Sequence, residues 1–182
     1  MSKKALKLVT KKFKKSIIDT HDRFGNHTAI VDKAAIRDIC LFCRDDEKLK
    51  FDLMADLTAV DYLQREPRFE VVYNLYSIEL KHRLRLRAPI AEGDETIDTV
   101  CDIWRAANWA EREVWDMYGI KFEGHPDLRR ILMYEEFEGH PLRKDYPIQQ
   151  SQPRMDLLRA ERDAVEEYKT YFVGRGRTAD SK

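Results

Sequence analysis

The chain has 182 residues, of which 43% are hydrophobic and 36% are charged, a balance typical of a soluble globular protein with a real core. Its 33 basic and 33 acidic residues cancel, so no overall field points to nucleic acid or to an acidic substrate. The sequence has no apolar run long enough to span a membrane and no secretory signal, and its three cysteines are an odd number. These features predict a protein that stays in the cytoplasm with reduced thiols.

The first fifteen residues hold seven lysines. Leu6, Val9, Phe13 and Ile17 recur through and just beyond them at helical spacing, which predicts a basic amphipathic helix. Its lysine face could dock onto an acidic partner or an anionic membrane surface. A solvated face on a helix that covers the core is the simpler interpretation.

A hairpin and a helix are predicted next. The turn at Phe24-Gly25 joins strands at about 17–23 and 28–31, and Asp32 stands where a helix N-cap belongs. The helix that follows contains Cys40 and Cys43 three residues apart. With Cys101 as the only other cysteine, the pair is better explained by packing in the core than by a redox or metal site.

Three strands are predicted at 51–63, 69–80 and 83–90, and their short connections indicate antiparallel pairing. In the last strand, apolar residues alternate with arginines, as in a strand with one buried face. The row from Arg83 to Arg87 could belong to a nucleic-acid module, but no interleaved aromatic residues support one. After these strands, Thr96 is predicted to cap a helix that contains Ile97, Val100, Cys101 and Trp104.

The densest mixture of charged, aromatic, Gly and Pro residues runs from Glu111 to Pro147. It opens with the end of a helix, which Gly119 should close in a left-handed conformation. Beyond the helix the letters FEGHP occur twice, at 122–126 and 137–141, and each copy is predicted to form a turn. The segment has too few apolar side chains for their burial alone to offset the conformational entropy lost when its backbone becomes ordered. The segment should therefore stay partly loose or lie across a surface, its own domain's or a partner's, that satisfies its backbone.

The acids and histidines of this stretch are the candidates for chemistry. Glu111, Glu113 and Asp116 could act as acid/base carboxylates or metal ligands, joined by His125 and His140. However, Glu111 and Asp116 lie five residues apart and so do not share a helical face, and nearby arginines could pair with them. Ion pairing that tethers the helix to the following segment is therefore favoured, and no catalytic, cofactor-binding or metal residue is assigned. The arginines in question are Arg112, Arg129 and Arg130.

The same residues resemble a known family. Glu111-Arg112-Glu113, Asp116-Met117-Tyr118 and the following His125, Arg129, Ile131 and Leu132 are similar in spacing to the signature of the C-type, or 30-kDa, subunit of respiratory complex I. The similarity continues through DLTAVDY, RFEVVY and GHPLRKDYP, so it covers about residues 50–150. The resemblance implies partner contacts at Glu111, Arg112, Glu113, Asp116, His125, Arg129, Arg130, His140, Arg143, Lys144 and Asp145.

The family resemblance also implies a function. It identifies a non-catalytic structural subunit of a proton-translocating NADH-quinone oxidoreductase, peripheral on the cytoplasmic side of a bacterial inner membrane. Its main partner would be the D-type subunit that lines the quinone cavity, with the B and I types as further neighbours. FMN, iron–sulfur clusters, NADH and quinone would belong to neighbouring subunits, and this chain would hold no cofactor. Two alternatives stay open: a homologous subunit of a membrane-bound nickel–iron hydrogenase or other complex I relative, and a freestanding metalloenzyme.

Taken together, the predicted elements and the resemblance indicate an α+β fold. An antiparallel or mixed sheet of four to five strands would carry helices on one face, with a ferredoxin-like arrangement as one option. The expected divisions are an α+β domain at 1–118, an extended partner-docking arm at 119–153, and a C-terminal helix with a disordered tail at 154–182.

Overall fold

A computed structural model describes residues 2–152 of the chain, so the C-terminal helix and tail predicted at 154–182 lie outside the described residues. The helices are α1 (Ser2–Lys12), α2 (Ile36–Asp45), which follows a short 3-10 helix at Lys33–Ala35, and α3 (Ala107–Tyr118). The strands are β1 (Ile17–Arg23), β2 (Asn26–Val31), β3 (Leu53–Asp61), β4 (Phe69–Ser77), β5 (His82–Ile90), β6 (Thr96–Asp98) and β7 (Lys121–Glu123). No helix in this part of the chain has the length and apolar character needed to cross a membrane.

Five strands form the main sheet in the order β1-β2-β5-β4-β3. Neighbours are antiparallel except β2 and β5, which run parallel. The α+β class, the mixed sheet and the β3-β4-β5 meander are therefore confirmed. The ferredoxin-like option is not the arrangement observed, because a hairpin, a helix and a three-strand meander follow one another here instead of two β-α-β units.

The core lies between one face of this sheet and the helices. Tyr73, at 0% exposure, stands in register with Leu57 on β3 and Leu86 on β5, so these three side chains lie on the same buried face of the sheet. Val9 of α1 and Val114 of α3 belong to the same buried cluster. Burial of such side chains contributes about 1.5–3 kcal/mol each, so this face supplies the main stabilisation of the sheet.

The opposite face carries the predicted arginine row, and cross-strand partners engage it. Arg85 donates to the side-chain oxygen of Asn74 at 2.9 Å. Arg87 pairs with Glu70 on β4 and donates to the Tyr62 hydroxyl. These bonds tie β4 to β5 and leave little free charge for a polyanion, so they weaken the nucleic-acid interpretation further.

Local sequence signals explain the first elements. Phe24 and Gly25 form the β1–β2 turn with φ values of 54° and 77°, the paired positive angles that suit a two-residue hairpin. The Asp32 carboxylate accepts the backbone N–H of Ala34 and caps the 3-10 helix before α2, as predicted. Cys40 and Cys43 are fully buried, which confirms their place in the core, and burial raises the pKa of both thiols.

The helix predicted after Thr96 is wrong. Residues 96–98 form β6, which pairs in parallel with β7, and the chain then turns through residues 99–104. The Thr96 hydroxyl donates back to the Asp94 carboxylate instead of capping a helix. Ile97 and Trp104 are buried as their spacing suggested, but β-branched residues at 96, 97, 99 and 100 favour extended backbone here.

Candidate functional site

Helix α3 positions the residues that the sequence singled out. Its apolar side, including Ala107 and Val114, packs into the core, and the helix as a whole lies against β3. Gly119 ends it at φ 79°, and the Gly119 N–H donates to the carbonyl of Trp115, so the predicted left-handed stop is confirmed. Of the polar residues of the helix, Arg112 and Asp116 then contact the segment that follows.

The two FEGHP copies fasten that segment to both ends of α3. Gly124 and Gly139 have φ values of 79° and 87°, so both copies are turns, as predicted. His125 Nδ1 accepts the N–H of Asp127, which leaves Nε2 to donate to the carbonyl of Asn108 at 3.2 Å. His140 Nδ1 donates to the carbonyl of Asp116 at 2.9 Å. We call α3 together with residues 122–146 the helix–arm junction.

Asp116 lies at the centre of the helix–arm junction. Its buried carboxylate accepts the N–H groups of Ile131, Leu132 and Met133 at 3.1, 2.9 and 2.9 Å, and Arg130 Nη1 at 2.6 Å. Burial by itself would raise the pKa of Asp116, but these four donors outweigh it and hold the pKa below its ordinary value. The predicted ion pair between a helix acid and an arginine of the arm is therefore confirmed here.

Other arginines bind carbonyl oxygens. Arg112 donates to the carbonyls of Arg129 and Arg130 at 3.1 and 3.0 Å, so the expectation that it pairs with an acid is wrong. Arg143 Nε donates to the carbonyl of Tyr118 at 2.6 Å. Arg129 is exposed and pairs with Asp127 at 3.0 Å. The last carbonyls of a helix lack intrahelical partners, and the arm satisfies them.

Glu111 also departs from the prediction, because its partners are not arginines. It is 0% exposed and accepts the Thr99 hydroxyl, the Val100 N–H and the Cys101 thiol at 2.5, 2.8 and 3.2 Å. Burial raises the pKa of Glu111 in spite of these donors. Its carboxylate thus holds the turn after β6 onto α3. Glu113, two positions along the helix, is exposed.

One cluster has the donor chemistry of a metal site. Ligand atoms of Cys101, Glu111 and His125 all lie within 4.8 Å of one another, and thiolate, carboxylate and imidazole together suit zinc. The chain itself already uses these atoms: the carboxylate accepts three hydrogen bonds, and both ring nitrogens of His125 are bonded. His140 binds the opposite end of α3, so the structure does not bring the two histidines together.

A second anchor, which sequence reasoning missed, holds the end of the arm. Arg68, 4% exposed, donates to Asp61 through two bonds of 2.9 Å and also contacts Glu92 and Asp145. The Lys144 N–H donates to the same Asp61 carboxylate at 2.8 Å, while its side chain is exposed. Arg68 lowers the pKa values of Asp61 and Asp145. The available signal was that both members of the buried pair lie inside the upstream motifs DLTAVDY and RFEVVY.

Large apolar side chains stand exposed around the helix–arm junction. Trp109 of α3 is 65% exposed with the Arg112 guanidinium 5.4 Å from its ring centre, and Leu132 is 57% exposed. Leu142 and Ile148 are exposed at 48% and 100%. Aromatic and arginine side chains of this kind are enriched among the residues that dominate protein interfaces.

The comparisons with known proteins agree with the resemblance. Residues 29–152 match the family described as the 30-kDa subunit of respiratory-chain NADH dehydrogenase. The C-type subunit of NADH-quinone oxidoreductase from Geotalea uraniireducens is 54% identical over 76% of this chain and 83% of its own length. The corresponding protein of Geobacter sulfurreducens is 54% identical over 76% and 85%.

Two solved structures share the fold. The trypsin-resistant fragment 1–134 of Nqo5 has a TM-score of 0.59 and 32% identity, and the match covers 69% of this chain and 98% of that one. A chain of an archaeal membrane-bound sulfane sulfur reductase has a TM-score of 0.68 at 24% identity, which shows similarity of fold alone. With two thirds of its length matched and such identities, the chain belongs to the family of the C-type, 30-kDa subunit of respiratory-chain NADH-quinone oxidoreductase.

Proposed function

We propose that this chain is a non-catalytic structural subunit in the peripheral arm of a proton-translocating NADH-quinone oxidoreductase. It packs there against the quinone-site subunit of the D type, with subunits of the B and I types nearby, on the cytoplasmic side of a bacterial inner membrane. FMN, iron–sulfur clusters, NADH and quinone are held by those neighbours. Relatives that are 54% identical and carry the name of NADH-quinone oxidoreductase support this assignment over a hydrogenase or another complex I relative.

One observation carries the non-catalytic role. The carboxylate oxygens of the two buried acids of α3 accept hydrogen bonds from within the chain. Glu111 accepts from the turn after β6, and Asp116 accepts from Arg130 and three backbone N–H groups. A general acid or base needs an oxygen within reach of its substrate, and these oxygens serve the fold. Such use of the acids favours a structural role for the helix–arm junction over a hydrolytic or metal-assisted one.

The surface of the helix–arm junction supports docking. The arm takes few large apolar side chains into the core, and Leu132 and Leu142 of the arm stand exposed together with Trp109 of α3. The polar contacts to α3 and Arg68 hold it in one shape before any partner arrives, which lowers the entropy lost on binding. A pre-shaped arm with exposed apolar side chains suits a permanent interface better than a free surface.

Isolation of the tagged chain from detergent-solubilised membranes tests the assignment. The quinone-site subunit and NADH:quinone activity should co-purify with it, whereas the chain expressed alone should show no visible absorbance and no NADH oxidation. A stoichiometric flavin or metal in the isolated chain would contradict the non-catalytic role.

Limited trypsin digestion tests the docking surface. The sequence alone predicts cuts at four basic arm residues, but Arg130 and Arg143 are half-buried and bonded to α3. The exposed Arg129 and Lys144 should therefore be cut first in the free chain and be protected in the intact complex. Equal cutting in both states would place the partner elsewhere.

A further inference from the structure

Helix α1 and the residues just after it present a face made of lysines. All seven lysines are exposed. Lys12 lies over the Phe42 ring, 3.9 Å from its centre, and the other six lie opposite Ala5 and Val9, which are buried in the core at 1% and 0% exposure. The six are Lys3, Lys4, Lys7, Lys11, Lys14 and Lys15. The helix contains no acidic residue. Its apolar stripe is thus already used by the fold, and the lysine face is the part that remains.

None of these six lysines has an anionic partner among the described residues. Within residues 2–152, Lys33 pairs with Asp94 and Lys50 pairs with Glu79, but no ion pair of at most 4.0 Å reaches any of the six. Like charges four residues apart, such as Lys3 and Lys7, weaken a helix. A row that disfavours its own helix and lacks internal partners is suited to an external polyanion.

A slot runs along this face. It has a volume of about 460 Å³ and lies between the lysine row and the start of the main sheet. Its walls are formed by Lys3, Leu6, Lys7, Thr10, Lys11, Lys14 and Thr20. Thr20 belongs to β1, which is an edge strand of the sheet, so this side of the slot is open to an incoming chain.

The spacing of the lysines indicates what fits. Lys3, Lys7 and Lys11 recur every four residues, about 6 Å along a helix axis. Side chains on one side of an extended peptide recur about every 6.6 Å, so carboxylates at alternate positions would meet successive lysines. We propose that the slot holds an extended acidic segment of a neighbouring subunit, with Asp or Glu at alternate positions. This inference rests on the proposed function, because the partner is another subunit of the complex.

Two other polyanions fit less well. An anionic bilayer binds amphipathic helices through an inserted apolar face, and the apolar residues Ala5 and Val9 are committed to the core. Single-stranded nucleic acid is held by bases stacked on aromatic side chains, and the slot walls contain none. An acidic peptide requires cations and a little apolar surface, and the lysines and Leu6 of the slot supply both.

Chemical labelling in the intact complex tests the proposal. In one set of samples the lysines of the free chain and of the complex are acetylated, and in a separate, unacetylated sample of the complex a carbodiimide joins free lysine amines to carboxylates in contact, with loss of water to the carbodiimide. Lys3, Lys7 and Lys11 should lose reactivity in the complex and form cross-links to Asp or Glu of one neighbouring subunit. The exposed Lys48 and Lys81 serve as internal controls and should react equally in both states. Equal reactivity of the row in both states overturns the inference and leaves the proposed function intact.

Binding to the full free chain provides a second readout. The probe is a fluorescent peptide of alternating Glu and Ser, compared with one of the same composition in which the glutamates are clustered. Lys7→Gln/Lys11→Gln should weaken binding of the alternating peptide roughly tenfold, since several exposed charge pairs are lost, whereas Lys48→Gln/Lys81→Gln should leave it unchanged.

In the peptide assay, equal affinity for the two peptides or equal effects of the two variants would overturn the proposal. In the labelling experiment, protection of the row by phosphatidylglycerol vesicles but not by the complex would also overturn it. Absence of the chain from the complex would refute the proposed function instead, and the peptide comparison would still decide whether the slot recognises alternating carboxylates.

Discussion

Removal of one charge at the centre of the helix–arm junction should loosen the arm. Asp116→Asn preserves the shape of a fully buried side chain that accepts four hydrogen bonds, but it replaces one acceptor oxygen with a donor NH2 group. That group must face either the guanidinium of Arg130 or three backbone N–H groups. Removal of one partner of a buried ion pair costs roughly 3–5 kcal/mol. Arg130 is only 13% exposed, so we expect a loss of about 3 kcal/mol in the free energy of unfolding.

The pH dependence of this loss has a definite sign. The folded pKa of Asp116 lies below its ordinary value of 3.8, so its ionised form stabilises the fold at neutral pH. That stabilisation is lost as the pH falls through the folded pKa. The difference in stability between wild type and Asp116→Asn should therefore be full at pH 7 and shrink below about pH 3.8.

Urea denaturation followed by tryptophan fluorescence and far-UV circular dichroism measures the effect. Trp115 lies beside the pair, with the Arg130 guanidinium 5.8 Å from its ring centre, so fluorescence reports on the junction directly. The control is Glu113→Gln on the exposed side of the same helix, which should change stability by no more than about 0.5 kcal/mol. If Asp116→Asn loses no more stability than this control, the carboxylate does not hold the arm.

Three further changes test other contacts. Gly119→Ala should destabilise the fold by about 1–3 kcal/mol, because φ is 79° and the added Cβ would lie 2.6 Å from the His140 ring. Thermal unfolding against the exposed, positive-φ control Gly25→Ala separates the clash from backbone strain. Gly124→Val should lower the amount of assembled complex more than it destabilises the sheet, since it strains the first turn of the arm, and normal complex levels in membranes would refute this. Burial raises the folded pKa of Glu111 above its ordinary value of 4.5. Wild type should therefore become more stable relative to Glu111→Gln as the pH falls from 7 through that folded pKa, which urea titrations at several pH values would measure.

Periodic segments of the fold were predictable from the sequence alone. Strand β5 alternates strictly, α1 shows a clear apolar stripe, and Gly25 and Asp32 mark the hairpin turn and the helix cap. Each of these signals acts within a few residues of the chain. The helix expected after Thr96 failed because its apolar spacing also suits a strand followed by a turn, and the decisive partner, β7, lies about 25 residues away.

Ion pairing between α3 and the arm was predicted, but most of the partners in the helix–arm junction were not. Asp116 and Arg130 do meet, yet Glu111 binds a hydroxyl, a backbone N–H and a thiol, none of which a charge pattern reveals. Arg68 was missed because its partners Asp61 and Asp145 lie 7 and 77 residues away. Side chains that satisfy backbone groups have no sequence period, so only the folded chain identifies them.

The segment between His125 and His140 is much longer than the distance between the two points at which these histidines contact α3. Asn108 and Asp116 lie eight residues apart, about 12 Å along the helix, whereas the fifteen residues from His125 to His140 could extend to about 50 Å. The segment therefore does not run straight between the two contacts. It bends around Tyr134 and Phe137, whose rings pack edge to face. Residues inserted at the exposed Glu135-Glu136 would lengthen this bend without moving either histidine. A reporter peptide can therefore be inserted at this bend while His125 and His140 keep their hydrogen bonds to α3.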